Sequence, residues 1–236
     1  MMSRHIDLSP RLRMVADLIP EDGQLVDVGT DHAYLPVALI QEGKIPSAIA
    51  ADLRQGPLSR AKATVQACGL NGRITFRLCD GLSGIRAEEA DVVAIAGMGG
   101  ETIANILAAS PWTKEAGKTL VLQPMSSHGD LRRWLWTNEY TIQRESLAQE
   151  GDVLYTALLV TGGRMASLTP AECLAGCNSR LSLRGLWLDR WIEKTKRALE
   201  GIQRARQPKA QARSLELEEL LAGLQKMKKE WEAWQR

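Results

Sequence analysis

The stretch "LVDVGTDHAYLP" (25–36) decides the fold, because strand-like apolar sequence runs through a glycine turn into a helix. A strand, a glycine turn and a helix in this order hold a nucleotide-like ligand over the end of a parallel sheet. The turn contains one glycine, Gly29, where a dinucleotide-binding fingerprint needs three. Asp31 would also repel a pyrophosphate. The stretch therefore predicts a ligand with a cationic end rather than a nicotinamide or flavin dinucleotide.

The same alternation of strand and helix continues through the first two-thirds of the chain. Strands are predicted at 25–29, 48–52, 74–80, 91–97 and 119–124, and helices at 8–20, 35–42, 57–69, 100–110 and 130–139. Short apolar strands alternating with helices indicate a parallel sheet covered on both faces. Residues 141–160 are typical of an antiparallel hairpin with its turn at 150–152. Together these elements predict an α/β fold with a Rossmann-like domain over residues 1–162.

The pattern changes in residues 163–236, which predict a separate helical domain. Thr169 and Glu172 form a capping box with Pro170 at the first helical position. Apolar residues then recur at helical spacing in two segments separated by 206–214, with Arg184 and Thr195 as interruptions of the first segment. The two series are Leu174, Cys177, Leu181, Leu188, Trp191, Ala198 and Ile202, then Leu217, Leu220, Leu224, Met227, Trp231 and Trp234. Their spacing predicts an antiparallel coiled-coil hairpin.

Composition limits the classes of function that the chain can have. The four cysteines form no C-x-x-C pair and the three histidines lie far apart, so we expect no metal site and a reducing, cytoplasmic location. No apolar run approaches the roughly 20 residues that would span a bilayer, so we expect no membrane partner.

Charge is distributed unevenly between the two predicted domains. Residues 164–236 carry 15 Lys and Arg against 9 Asp and Glu, whereas residues 1–163 carry 15 against 19. The basic C-terminal part indicates either an anionic partner or an ordinary solvated helix surface, and charge alone does not separate these two interpretations.

Three acids, Asp31, Asp52 and Asp80, are predicted at the carboxyl ends of three successive strands. Asp52 stands 25 residues after Asp27, where an acid hydrogen-bonds ribose hydroxyls, and Asp80 is placed to accept from an adenine amino group. Alone, Asp52 could cap a helix, and Asp80 with Gly81 could form a plain turn. Together the three acids favour S-adenosylmethionine, which carries an ammonium and a sulfonium and has no phosphate.

The fourth strand ends in "AGMGG" (96–100), without the Asp/Asn-Pro-Pro-aromatic motif that amino-methyltransferases acting on bases often carry there. Glycine-rich backbone can approach a planar base closely. This arrangement suits a ring nitrogen with a free lone pair, such as N1 of adenine, which needs alignment and no general base. The alternative is a tight strand-to-helix turn without a ligand.

Six motifs of this sequence resemble those of the bacterial tRNA (adenine-22-N1)-methyltransferases. The matching segments are "RLRMVA" (11–16), "VDVGTDHAYLP" (26–36), "GPLSRA" (56–61), "AIAGMGG" (94–100), "VLQP" (121–124) and "EGDVLYTALLV" (150–160). The resemblance covers residues 8 to about 162. It implies a Rossmann-like S-adenosylmethionine domain followed by a coiled-coil domain, and methylation of N1 of adenine 22 in tRNA. Met125 follows "LQP" where family members often have asparagine, which puts a substrate contact by an amide in doubt.

These observations assign three sets of candidate site residues. The cofactor set is Asp27, Gly29, Asp31, Asp52, Asp80, Gly81 and Gly97. The set around the target base is His32, Met98, Gly99 and Gly100, in which His32 is equally a packing or capping residue and is included mainly on the resemblance. The set for the tRNA backbone is Arg11, Arg13, Arg190, Lys194, Arg197 and Arg204.

Two other classes of function stay open on the sequence. The chain could methylate another RNA or a small molecule, although a small substrate leaves the basic C-terminal part unexplained. It could also be a non-catalytic RNA-binding protein on the same scaffold. We expect a monomer, with a dimer as the alternative.

Overall fold

The computed structural model describes residues 4–177, 180–204 and 210–236. Its centre is a seven-stranded sheet in the order β3-β2-β1-β4-β5-β7-β6. The strands are β1 Leu25–Val28, β2 Ala48–Asp52, β3 Ile74–Leu78, β4 Val92–Gly99, β5 Thr119–Ser126, β6 Tyr140–Glu150 and β7 Val153–Gly162. Strands β1 to β5 are parallel to one another, and β7 is antiparallel to both β5 and β6. The predicted Rossmann-like α/β fold and the hairpin are thus confirmed.

Helices cover both faces of the sheet because its strands are apolar on both sides. They are α1 Pro10–Leu18, α2 Tyr34–Gln41, α3 Gln55–Ala67, α4 Gly100–Ala108 and α5 His128–Thr137. One apolar core lies between the sheet and α1, α2 and α3, and a second lies between the sheet and α4 and α5. The alternating order brings the carboxyl ends of β1 to β4 to one edge of the sheet, which is where such folds bind ligands.

The described residues of the C-terminal part form three helices, whereas the sequence predicted two. They are α6 Pro170–Ala175, α7 Arg184–Arg204 and α8 Ala210–Trp234. The capping box at Thr169 and Glu172 is present. The first of the two predicted helices was expected to be continuous, and this prediction was wrong. Helix α6 ends at its C-cap Gly176, whose φ of 79° favours glycine. Arg184 donates hydrogen bonds to the carbonyls of Ala175 and Gly176. Arg184 interrupts the apolar pattern because its buried guanidinium bonds the end of α6.

Helices α7 and α8 pack against each other with the end of α8 beside the start of α7. Lys228 Nζ lies 2.6 Å from Asp189 Oδ2, and Trp231 Nε1 donates to the Leu181 carbonyl at 3.2 Å. Ala198 and Trp234, which the spacing placed on the buried seams, are exposed. Coiled-coil geometry therefore stays a prediction, although the packed pair of helices is present.

A buried ion pair joins the strand hairpin to the C-terminal helices. Arg132 of α5 donates to Glu145 of β6 at 2.8 Å, and the two side chains are 1% and 7% exposed. Arg132 also donates to the carbonyls of Cys173 and Leu174, and Glu145 accepts the backbone N–H of Cys177. An apolar cluster that includes Leu154, Trp187, Leu188 and Leu224 lies at the same junction.

Candidate active site

A cavity of about 900 Å³ opens at the carboxyl ends of β1 to β4. Most of the predicted cofactor residues line it, namely Gly29, Asp31, Asp52, Asp80, Gly81 and Gly97. Met98, which was predicted to lie near the target base, lines it as well. We call it the strand-end cavity. Its size lies within the range of about 300–1,000 Å³ that is usual for small-molecule sites.

Asp27 is not among the residues that line this cavity, so its contact with the cofactor stays a prediction. Its side chain is only 5% exposed and accepts a hydrogen bond from Thr30 Oγ1 at 2.6 Å. Burial raises the pKa of Asp27 to about 6, and the charge of Asp52 acts in the same direction. Asp27 thus orders the turn beneath the cavity.

This buried carboxyl gives a prediction for stability against pH. The folded state holds the Asp27 proton more tightly than the unfolded state, so ionisation lowers stability as pH rises from about 4 to 6. The variant D27N keeps a hydrogen-bond acceptor and loses this titration. We expect its free energy of unfolding, relative to the wild type, to rise by roughly 2–3 kcal/mol between pH 4 and pH 7.5. Urea unfolding at both pH values measures the difference, and a difference that does not change with pH would contradict the prediction.

Asp52 and Asp31 both lie at the strand-end cavity but in different states. Asp52 is 8% exposed, and its Oδ1 accepts the backbone N–H of Arg54 at 2.9 Å. It therefore both holds the start of α3 and faces the ligand space. Asp31 is exposed and forms an ion pair with Arg60 of α3 at 2.6 Å. Its negative charge is already compensated, which the sequence did not indicate.

Glycines bring the main chain close to the strand-end cavity. Gly29 has a φ of 73°, and a Cβ there would collide with the terminal methyl of Met98. Gly81 has a φ of 54°, and a Cβ there would lie 3.0 Å from Ile106. Asp80 is exposed at this rim. The positive φ at both positions favours glycine, and a larger residue at Gly81 would also crowd Ile106.

The acid at the end of β2 gives a prediction for ligand affinity. We expect D52A to weaken S-adenosylmethionine binding by about 1–3 kcal/mol, because it removes the predicted charge-assisted hydrogen bond to the ligand. The matched control is D91A, which removes a carboxylate that accepts the Gln24 backbone N–H at 3.0 Å and precedes β4 at the opposite edge of the sheet. Isothermal calorimetry should show a loss for D52A alone. Equal affinities for both variants would remove Asp52 from the ligand site.

The segment "AGMGG" forms a shelf of main chain beside the strand-end cavity, and we call residues 97–100 the main-chain shelf. Gly97 has a φ of 77° and donates its N–H to Gln123 Oε1 at 3.1 Å. A Cβ at Gly100 would lie 2.6 Å from the Ser127 carbonyl oxygen. The ladder between β4 and β5 shifts register on both sides of Met98. The shelf is therefore an irregularity of the sheet at which Gly97 is exposed and Gly100 is buried.

Gln123 and Arg11 hold this shelf, and the sequence did not single out Gln123. Gln123 is fully buried, and Arg11 donates to its Oε1 at 2.9 Å. The Arg11 guanidinium also lies 5.8 Å from the centre of the Tyr155 ring. Arg11 was predicted to bind the tRNA backbone, but the structure places it against the shelf. The only sequence signal for this contact is that Arg11 lies in the "RLRMVA" motif and Gln123 in the "LQP" motif.

Two other predicted residues are engaged elsewhere. Arg13 forms a two-bond ion pair with Glu42 at 2.6 and 2.9 Å, so its predicted role as a free tRNA contact is not supported by its geometry. His32 stacks on Tyr34 with ring centres 5.1 Å apart and does not line the strand-end cavity. The packing interpretation of His32 fits this arrangement best.

The cations predicted on the C-terminal helices are exposed. Arg190, Lys194 and Arg197 line one shallow groove on α7. The side chain of Arg204 lies outside the described residues. Within the described ranges, no group of three or more His, Cys, Asp or Glu could hold a metal ion, and no helix is long and apolar enough to cross a membrane.

Comparison with known proteins decides the family. A family model described as a methyltransferase domain matches residues 8–158. The tRNA (adenine(22)-N(1))-methyltransferase of Bacillus subtilis (strain 168) is 39% identical over 158 residues, which are 67% of this chain and 66% of that protein. The crystal structure of the B. subtilis M1A22 tRNA methyltransferase TrmK superposes with a TM-score of 0.85 at 31% identity, covering 95% of this chain and 100% of that one. This chain belongs to the tRNA (adenine(22)-N(1))-methyltransferase family.

A second member of this family was solved with a ligand. The structure of M. capricolum TrmK contains the cofactor product S-adenosyl-homocysteine, and it matches this chain with a TM-score of 0.76 at 29% identity over 93% of this chain and 96% of that one. The residues of the strand-end cavity fit such a cofactor. They supply carboxylates at the ends of successive strands, and close main chain at Gly29, Gly81 and Gly97. The cofactor predicted from the sequence, S-adenosylmethionine, is confirmed for the family.

Proposed function

We propose that this protein transfers a methyl group from S-adenosylmethionine to N1 of adenine 22 in tRNA. One observation carries the proposal: the strand-end cavity is lined by three acids and also by Gly97 and Met98 of the main-chain shelf. When bound, S-adenosylmethionine supplies an electrophilic methyl on a sulfonium. A cofactor site and a base site that share Gly97 and Met98 place donor and acceptor together.

The residues of the cavity bind and orient the cofactor. Asp52 is placed to accept from ribose hydroxyls, while Asp80 and Gly81 face the space for the adenine ring. The ion pair of Asp31 with Arg60 lies at the mouth of the cavity and anchors the first turn to α3. These residues would hold S-adenosylmethionine in a cavity that Gly97 and Met98 of the shelf also line.

The shelf positions the target base without a general base. N1 of a neutral adenine carries a free lone pair, so its alkylation needs alignment rather than proton removal. Gln123 and Arg11 fix the shelf from below through two hydrogen bonds to one amide oxygen. The Arg11 charge stays 5.8 Å from Tyr155, outside the lining of the strand-end cavity. The target must be turned out of its stack to reach this place.

The C-terminal part binds the tRNA backbone in this proposal. In this proposal residues 1–162 form the catalytic domain, and residues 163–236 form a helical domain with a coiled-coil-like pair, α7 and α8. The exposed cations Arg190, Lys194 and Arg197 follow one side of α7 and hold phosphates. The protein acts as a monomer in the cytoplasm.

Mass mapping of an unmodified tRNA transcript tests the proposal. Incubation with labelled S-adenosylmethionine should give one methyl on adenine 22, and a transcript with guanine at position 22 should receive none. Methylation of ribosomal RNA instead of tRNA would contradict the proposal that tRNA is the substrate. Cofactor binding without transfer to any RNA would favour the non-catalytic alternative.

A further inference from the structure

A second, smaller cavity lies on the other side of β5 from the strand-end cavity. It encloses about 210 Å³ between the end of β5, the start of α5, the start of β7 and one face of α7. Its lining includes Met125, His128, Tyr155, Trp187, Arg190 and Trp191. We call it the aromatic cavity. Among the described residues it shares no lining side chain with the strand-end cavity.

The aromatic cavity begins next to the main-chain shelf. Pro124 lines it and pairs with Met98 in the ladder between β4 and β5, and Ser126 pairs with Gly99 two residues further along. Met125, between them, is 47% exposed. A nucleotide adjacent to a base on the shelf therefore reaches this cavity without a long detour of the backbone.

Three rings form the wall of this cavity. Trp187 and Trp191 meet edge to face with centres 5.6 Å apart, and His128 lies 5.7 and 5.9 Å from them. Burial, with the charges of Arg132 and Lys194, lowers the pKa of His128 to about 4, so its ring is neutral at physiological pH. The Trp191 N–H is buried without an acceptor among the described residues, so packing rather than a hydrogen bond holds this ring.

The rim of the cavity is cationic. Lys194 lies 4.9 Å from the centre of the Trp191 ring, and Lys194 and Arg190 are both exposed. An aromatic wall bordered by exposed cations combines the two contacts that proteins use for an unpaired nucleotide, stacking for the base and charge for the phosphate. An apolar small molecule would explain the rings and leave the cations unused.

We propose that the aromatic cavity binds one nucleobase of the tRNA next to the target adenine, turned out of its stack, while Arg190 and Lys194 hold its phosphate. The inference rests on the proposed function and adds a second base site to it. The target base then lies between two anchors, the shelf on one side and a stacked neighbour on the other. Such a clamp favours single-stranded or distorted segments over a regular helix.

A variant that fills the cavity tests the inference. Val153 lines the cavity at the start of β7 and is 49% exposed, so V153W adds a ring there without disturbing the core. The matched control is L186W, which adds the same ring at an exposed position of α7 that does not line the cavity. We expect V153W to raise the KM for unmodified tRNA about tenfold, the usual cost of one lost base stack, with kcat and cofactor affinity unchanged. L186W should behave as the wild type.

Transcripts with an abasic site identify the bound nucleotide. Removing the base on either side of adenine 22 should raise the wild-type KM about tenfold at one of the two positions, and should add little to the defect of V153W. Wild-type KM for V153W, or additive effects at both positions, would overturn the inference. A second variant, W191L, removes a stacking ring and should reproduce the defect. If the wild-type protein fails to methylate adenine 22 at all, the proposed function fails first, and the two failures are distinct.

Discussion

Reversing the three exposed cations of α7 is expected to weaken tRNA binding by about 100-fold at low salt. In the variant R190E/K194E/R197E the three proposed attractions to phosphates become repulsions. Cofactor affinity should stay at the wild-type value, because none of these residues lines the strand-end cavity. The dependence of the remaining binding on salt should become shallower, since fewer counterions are released. Filter binding at two salt concentrations measures both effects.

The control for this triple variant has the same change in net charge, but its substitutions lie outside α7. K62E/R86E/R164E reverses three exposed cations of the first 164 residues, none of which lines a cavity together with α7. Only a small loss of tRNA affinity is expected for it, from the weaker overall attraction. Equal losses in the two triple variants would show that total charge, and not the α7 surface, governs tRNA binding.

The second large effect concerns the ion pair that joins the hairpin to the C-terminal helices. We expect E145A to lower the free energy of unfolding by about 3–5 kcal/mol, because it leaves the 1% exposed Arg132 guanidinium buried without its counter-charge. The backbone N–H of Cys177 also loses its acceptor. Urea unfolding at neutral pH measures the change.

Another glutamate of the same region provides the control for E145A. Glu139 pairs with Arg164 on the surface, where both side chains are more than half exposed, so E139A should unfold as the wild type does. The double variant R132M/E145L should recover much of the loss, since an apolar pair of similar volume avoids the buried charge. A wild-type stability for E145A would mean that water or another acidic group reaches Arg132.

The sheet and the position of the cofactor site could be predicted because their signals are local. Each strand is a short apolar run bounded by a turn, and parallel strands place their carboxyl ends at one edge. Asp52, Asp80, Gly81 and Gly97 follow from that rule alone, and all of them line the strand-end cavity. The turn at Gly151 followed from its flanking polar residues in the same way.

The roles of several polar side chains could not be predicted because distant partners decide them. The partner of Arg11 is 112 residues away, and those of Asp31 and Arg13 are each 29 residues away. The sequence shows that these residues are charged, but it does not show which side chains they pair with in the folded chain. The break between α6 and α7 has the same origin, since the bonds of Arg184 to the end of α6 exist only in the folded chain.

The main-chain shelf restricts how the target preference of this protein can be altered by design. Gly97 needs a positive φ, and Gly100 has carbonyl oxygens where a Cβ would stand, so neither position accepts the substitutions with which most binding sites are retuned. A library meant to redirect the chemistry to another base should leave 97–100 intact. Such a library should instead vary Met125 at the end of β5, because this side chain is half-exposed. The sequence of the RNA transcript can be varied in parallel.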